Sequence, residues 1–232
     1  NFTYQNTGIN AIKELNLTIK KGEKIAILGK TGSGKTTIVQ LLIRLYDLNS
    51  GTIKIDEHHI DTIDLKSLRE QISYVPQDVF LFSDSILNNI LFGNEDTTIE
   101  QAYDAAKSAG IFDEIMSFPE GFNTVIGERG ITLSGGQKQR ISIARALLKK
   151  TDILILDDCL SAVDSKTEKR ITSQLNEFLK DKTSIFITHR SFHSVNFDQI
   201  IVMENGTIIE KGTHEELLMK KGYYYDQFNK RG

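Results

Sequence analysis

The 232-residue chain contains one cysteine and two prolines, and charge of neither sign dominates it. A lone Cys159 excludes a disulfide framework and makes a reducing cytosol the expected compartment. Lys plus Arg number 28 against 31 Asp plus Glu, a net charge of −3, so the basic excess expected of a general nucleic-acid binder is missing. No apolar run reaches the roughly eighteen residues of a membrane span, and no signal peptide precedes the first strand. The chain itself is therefore expected neither to insert in a membrane nor to be exported. Internal repeats and low-complexity segments are missing too. The chain starts without Met, in mid-pattern at Asn1-Phe2-Thr3-Tyr4, as a piece of a longer protein would. Its length suits one large α/β domain, or one domain with an inserted lobe.

What is present is organised by period. Residues 9–20 alternate loosely through Ile12, Leu15, Leu17 and Ile19, as a half-buried strand does. Lys24-Ile25-Ala26-Ile27-Leu28 is a short apolar run ending at Gly29, the form of a buried strand that feeds a loop. Beyond the loop, Val39, Leu42, Ile43 and Tyr46 recur at helical spacing. Residues 51–55 and 72–75 read as further strands, and Pro76-Gln77-Asp78 breaks the second. From Ser85 to about Lys150 the signals are helical with polar loops, which predicts a helical lobe inserted before the central sheet resumes. Ile153-Leu154-Ile155-Leu156 and Ser184 to Thr188 are continuous apolar runs of the kind that form parallel strands buried on both faces. Asn205-Gly206 marks a hairpin, and Thr213 with Glu216 forms a capping box for the last helix.

Two glycine-rich signatures sit about a hundred residues apart. Gly29-Lys30-Thr31-Gly32-Ser33-Gly34-Lys35-Thr36 matches G-x-x-x-x-G-K-[ST], the loop whose backbone N–H groups cradle nucleotide phosphates. Its strand–loop–helix context is the one that chemistry needs, since the helix N-terminus adds a field favourable to anions. Lys35 would neutralise β- and γ-phosphate charge, and the Thr36 hydroxyl would bind Mg²⁺. Asp157 ends an apolar strand, where a carboxylate can hold Mg²⁺. Asp158 follows as the candidate base for the attacking water, and Gln77 can touch both metal and water. His189, at a strand end, can hydrogen-bond the γ-phosphate, and Tyr4 can stack on adenine. His189 and His193 are spaced i, i+4 but lack the Glu of H-E-x-x-H, which argues against zinc. The second signature, Leu133-Ser134-Gly135-Gly136-Gln137, opens what reads as an amphipathic helix.

Together these residues resemble the nucleotide-binding domain of ATP-binding cassette (ABC) transporters, over essentially the whole chain. Leu133 to Gln137 is that family's defining signature. The resemblance implies an α/β fold: a P-loop NTPase (RecA-like) core with a mainly parallel sheet, an N-terminal antiparallel β subdomain and an inserted helical subdomain. The core with its β subdomain is expected over about 1–84 and 151–232, and the helical signature subdomain over about 85–150. The resemblance further implies that two such domains meet head to tail, each ATP being held by one chain's phosphate loop and the other chain's signature. ATP would then be bound by Tyr4, Gly29, Lys30, Thr31, Gly32, Ser33, Gly34, Lys35, Thr36 and Thr37, and across the interface by Ser134, Gly135, Gly136 and Gln137. Thr36, Gln77 and Asp157 would hold Mg²⁺, and Lys35, Gln77, Asp158 and His189 would carry catalysis.

Ser161-Ala162-Val163-Asp164 matches the family's D-loop. Gly127-Glu128-Arg129-Gly130 looks like the X-loop of exporters, which contacts the coupling helices of the membrane portion, and Val79-Phe80-Leu81-Phe82 followed by Ser85-Ile86-Leu87-Asn88-Asn89-Ile90 also resembles exporters. The implied partners are a second nucleotide-binding domain and a transmembrane domain, and the implied location is the cytoplasmic side of the cell membrane. The departure from the pattern is Asp158, where the family carries Glu. Asp reaches one methylene less far, and misplacing a reacting group by about 1 Å can cost roughly 10²-fold in rate. Two expectations stay open on this basis: an exporter motor that hydrolyses ATP, and a regulatory module whose degenerate site completes a partner's, in a homo- or heterodimer. A soluble ABC ATPase is a third, disfavoured by the exporter-like loops.

Overall fold

The computed structural model describes residues 1–94, 96–127, 132–160, 165–180, 182–189 and 195–229. They fall into two compact units, one of Asn1–Ile72, Asp152–Ile155 and Lys182–Gly232, the other of Ser73–Thr151 and Leu156–Asp181. In chain order the first unit holds β1 (Phe2–Thr3), β2 (Asn10–Ile12), β3 (Lys24–Leu28), α1 (Lys35–Leu42), β4 (Lys54–Ile55), β5 (His58–His59) and α2 (Leu65–Glu70). Strand β6 (Ile72–Val75) leads into the second unit, which carries α3 (Ile86–Leu91), α4 (Ile99–Ser108), α5 (Phe112–Met116) and α6 (Gly135–Leu148). β7 (Ile153–Asp157) starts in the first unit and ends in the second, which also holds α7 (Ser165–Phe178). The first unit resumes with β8 (Thr183–Thr188), β9 (Gln199–Glu204), β10 (Thr207–Gly212), α8 (His214–Lys220) and α9 (Tyr223–Asn229).

The main sheet has the order β10-β9-β3-β8-β7-β6, to which β7 and β6 contribute residues 153–155 and Ile72 within the first unit. β3 pairs in parallel with both β8 and β9, and four of its five residues are buried, as a strand covered on both faces requires. β10 returns antiparallel through the predicted hairpin, where Asn205 and Gly206 both take positive φ (50° and 85°), as a type I′ turn demands. One face of β3 and β9 is covered by the last two helices: Ala26, Leu28, Ile200 and Val202 are buried with Leu217 of α8 and Tyr224 of α9. The Thr213–Glu216 capping box is formed in full. β1 with β2, and β4 with β5, make the small antiparallel pairs.

Two periodic readings overran. Leu15, Leu17 and Ile19 keep the alternating exposure expected of residues 9–20, but the ladder covers only Asn10–Ile12. Glu14 takes φ 45°, and its N–H is claimed by the side chain of Asn1, so backbone pairing stops there. Helix α1 likewise ends at Leu42, with Arg44 at φ 49°, and buries Ile38, Val39 and Leu41 rather than a face through Tyr46, which is exposed.

In the second unit α4 packs against α6, and its buried residues are all alanine, which permits close approach. α6 is not amphipathic beyond its first turn: Gln139 to Ala144, Ala146 and Leu147 are all buried. Ser73 on β6 is buried and bonds the Ala146 carbonyl (3.1 Å) and the Thr151 hydroxyl (2.9 Å). Removing a buried hydroxyl leaves partners unsatisfied, so Ser73→Ala is expected to cost about 1–3 kcal/mol. The urea midpoint would fall with an unchanged m-value, and an unchanged midpoint would contradict the assignment.

Candidate functional site

The phosphate loop links β3 to α1 in the first unit. Gly29 and Gly34 take φ 154° and 101°. A Cβ on Gly29 would meet the Met203 carbonyl oxygen at 2.3 Å, and one on Gly34 the Ala11 carbonyl oxygen at 2.5 Å. These positions therefore need glycine twice over, for backbone conformation and for space. The loop is fastened from behind: Gly206 N–H donates to the Ser33 carbonyl (3.1 Å), and Lys13 N–H to the Gly206 carbonyl (2.9 Å). The Lys35 ammonium folds into the loop, donating to the carbonyls of Gly29 (2.7 Å) and Lys30 (2.9 Å) and to Ser33 Oγ (3.4 Å). Thr36 is half-buried, and Thr37 is buried in the first turn of α1.

Tyr4 and His189 belong to the same unit. The Tyr4 hydroxyl donates to Gln40 Oε1 (2.7 Å) and lies 3.0 Å from Thr37 Oγ1, which pins the half-buried ring beside the start of α1. Phe2 and Tyr46 flank it edge-on, with ring centroids at 4.9 and 5.3 Å. His189 follows Thr188, and Thr188 is registered opposite Leu28, so the histidine emerges from β8 beside the strand end that opens the phosphate loop. It is exposed.

Asp157, Asp158 and Gln77 lie in the second unit. Burial of Leu154, Ile155 and Leu156 contributes about 2 kcal/mol each and carries Asp157 to 1% exposure at the end of β7. Tyr74 on β6 donates its hydroxyl to Asp157 Oδ2 (3.4 Å). Burial, and then the Asp157 charge, push the Tyr74 phenol far above its ordinary pKa, so it stays a donor. Gln77 is exposed, three residues beyond Tyr74. Asp158 is buried with φ 48°, a left-handed conformation that Asp tolerates better than most residues. Burial, followed by the Asp158 charge, raises the Cys159 thiol pKa well above normal and keeps it inert.

The signature opens α6 as predicted, and the structure adds its support. Ser134 is the N-cap: its Oγ accepts from Gln137 N–H (3.2 Å), while Gln137 Oε1 accepts from Ser134 N–H (2.9 Å). Ser134 and Gly135 are exposed. Gln137 Nε2 donates to Glu114 Oε2 (3.2 Å), and Arg140 binds the same carboxylate with both Nη atoms (2.5 and 2.9 Å). Partial burial raises the Glu114 pKa, but the Arg140 and Gln137 hydrogen bonds outweigh it and hold the carboxyl below its ordinary value. Glu114, Arg140 and Tyr74 were not legible as site residues, because nothing in their spacing marks them. Glu128, Arg129 and Gly130, expected to belong to an X-loop, residues 161–164, expected to form a D-loop, and His193 lie outside the described residues. A cavity of about 550 Å³ in the second unit, lined by Asn94, Gln101, Asp104, Leu147, Lys150 and Phe178 among others, contains none of the predicted residues.

The phosphate loop by itself fits a nucleotide's phosphates and the cation that accompanies them: a glycine cradle that a Cβ would fill, an ammonium within it and a hydroxyl after it. Residues 12–161 match the family described as ABC transporter. The chain belongs to the ABC transporter family. Domains of this family bind ATP, generally with Mg²⁺, and are ATPases. ATP-binding cassette sub-family B member 6 of Xenopus tropicalis is 44% identical over 97% of this chain and 26% of its own length. ABC transporter B family member 24, mitochondrial, of Arabidopsis thaliana is 47% identical over 90% of this chain and 31% of its own. The ABC domain also superposes on a bacterial Atm1-family ABC exporter solved with ATP bound, with a TM-score of 0.92 and 38% identity over 99% of this chain and 40% of that one. It thus spans between about a quarter and two-fifths of these relatives.

Proposed function

We propose that this ABC domain is the ATP-hydrolysing motor of an exporter, working as one half of a head-to-tail pair on the cytoplasmic side of the cell membrane. The observation that carries the reading is the Gly29–Thr36 loop, closed to any Cβ at Gly29 and Gly34 and filled by the Lys35 ammonium. Gly29 to Thr37 would grip the phosphates, Tyr4 would meet the adenine, and Thr36, Gln77 and Asp157 would hold Mg²⁺. When bound, Mg²⁺ would offset phosphate charge. Asp158 would accept the proton of the attacking water, His189 would donate to the γ-phosphate, and Lys35 would counter negative charge developing there. The Ser134 hydroxyl and the N–H groups of Gly135, Gly136 and Gln137 would complete the partner's site. Support for a membrane partner comes from an exposed aromatic ridge: Phe80 meets Phe82 edge-on and Phe82 meets Phe92 at a tilt (centroids 5.0 and 4.3 Å apart), with the Arg145 guanidinium over the last two. Coupling helices of the transmembrane domain would dock there.

The shortened acid favours a second reading, in which this chain holds ATP and its partner hydrolyses. Asp158→Glu separates them through steady-state hydrolysis by the chain. A motor whose Asp158 already serves as base should change by less than about threefold, whereas a degenerate site regaining its reach should gain roughly 10²-fold. A gain of that size would overturn the motor reading.

A further inference from the structure

The signature reaches the neighbouring nucleotide only if the first turn of α6 is held at a fixed angle, and capping by Ser134 and Gln137 is internal to that turn. Its anchorage to the rest of the second unit comes from elsewhere. We infer that Glu114, which lies in no nucleotide-binding motif, is the positioning residue of the signature. This rests on the head-to-tail reading above for its functional consequence, though not for its structural one.

The Glu114 carboxylate receives Gln137 Nε2 on one oxygen and both Nη atoms of Arg140 across the pair, the two-pronged geometry that fixes direction as well as distance. Arg140 in turn donates Nε to the carbonyl of Gly136 within the signature (3.2 Å) and Nη1 to the carbonyl of Gly110 (2.9 Å). Its side chain is only 9% exposed, so it has little water to fall back on. Gly110 also accepts from Arg170 Nη2 on α7 (2.9 Å), and its φ of 65° places it where a side chain would press on that guanidinium at 3.2 Å. One carboxylate on α5 thus holds the signature's last residue directly and its second glycine through Arg140. The same guanidinium joins that group to the end of α4. Without Glu114, Gln137 keeps its backbone-facing oxygen bond but loses its outward tether, and Arg140 keeps a buried charge with only carbonyl partners.

The test compares Glu114→Ala and the isosteric Glu114→Gln with the unmodified 232-residue chain. Amide exchange at Gln137 and Lys138, whose N–H groups bond Ser134, should quicken roughly tenfold in Glu114→Ala and less in Glu114→Gln, which retains one acceptor for Arg140. Exchange at Ala102, bonded to Thr98 at the far end of α4, should stay within about twofold. The affinity for fluorescent ADP, which reads only the chain's own phosphate loop, should also hold, while ATP-driven association measured by sedimentation should weaken roughly tenfold. Unchanged exchange at Gln137 and Lys138, or an equal rise at Ala102, would overturn the inference. Ser134→Arg is the control for the underlying reading. If it too leaves association intact while exchange responds to Glu114 as stated, head-to-tail pairing fails and the positioning of α6 by Glu114 stands.

Discussion

Replacing Lys35 with Ala should lower ATP turnover at least about 10²-fold, the loss seen when one preorganised charge donor is taken from a developing anion. The fold should survive. Lys35 makes three bonds inside the loop, but Ser33 remains fastened to the β9–β10 hairpin through Gly206, and Ile38 N–H remains bonded to Gly34 in the first turn of α1. The ammonium now lies against the Gly29 and Lys30 carbonyls, which bind it less strongly than phosphate oxygens would. Removing it is therefore expected to cost more in the loaded chain than in the free one. Tm should move by no more than about 2–4 °C, the equivalent of roughly 1 kcal/mol in a chain of this size. Turnover within twofold of the unmodified chain would show that Lys35 does not meet the nucleotide.

Gly34→Ala should damage fold and binding together. At φ 101° an L-residue pays about 1–2 kcal/mol for the left-handed side of backbone space. The new Cβ would also stand 2.5 Å from the Ala11 carbonyl oxygen and 3.1 Å from Ile12 Cδ1. The second contact can relax by a rotamer change, but the first is with backbone and cannot. Strand β2 or the loop must therefore shift. Tm is expected to fall by roughly 5–10 °C, and Mg-ATP affinity with it, since the loop's amides turn away as the backbone moves. Gly32→Ala is the contrast: φ is positive there as well, at 80°, but nothing lies within 4 Å of the added carbon. A Gly34→Ala chain with unchanged Tm and affinity would mean that the loop does not press on β2 as described.

Much of this was legible in the sequence because the decisive groups act locally. The phosphate loop, the Thr213–Glu216 capping box and the Asn205-Gly206 turn each depend on backbone conformations dictated by a few adjacent residues. The buried strands β3, β7 and β8 were legible because continuous apolar runs leave no solvent face. Contacts that depend on distant residues were not. Glu114 is 26 positions from Arg140, and Tyr74 is 83 from Asp157, so neither pair leaves a spacing signal. The left-handed turn at Asp158 was hidden for another reason, since no glycine follows it to mark a turn as Gly206 does after Asn205. Helix α1 was read too long because Leu42, Ile43 and Tyr46 fit helical spacing, although the chain has already turned at Arg44.

The most direct measurement is amide shift mapping of the 232-residue chain titrated with Mg-ATP. A saturable response centred on Gly32 to Thr37, with Tyr4 responding in step, is the expected result. Saturation without movement in those residues, or a response centred on the cavity near Asn94, Asp104 and Lys150, would contradict nucleotide binding at the glycine loop.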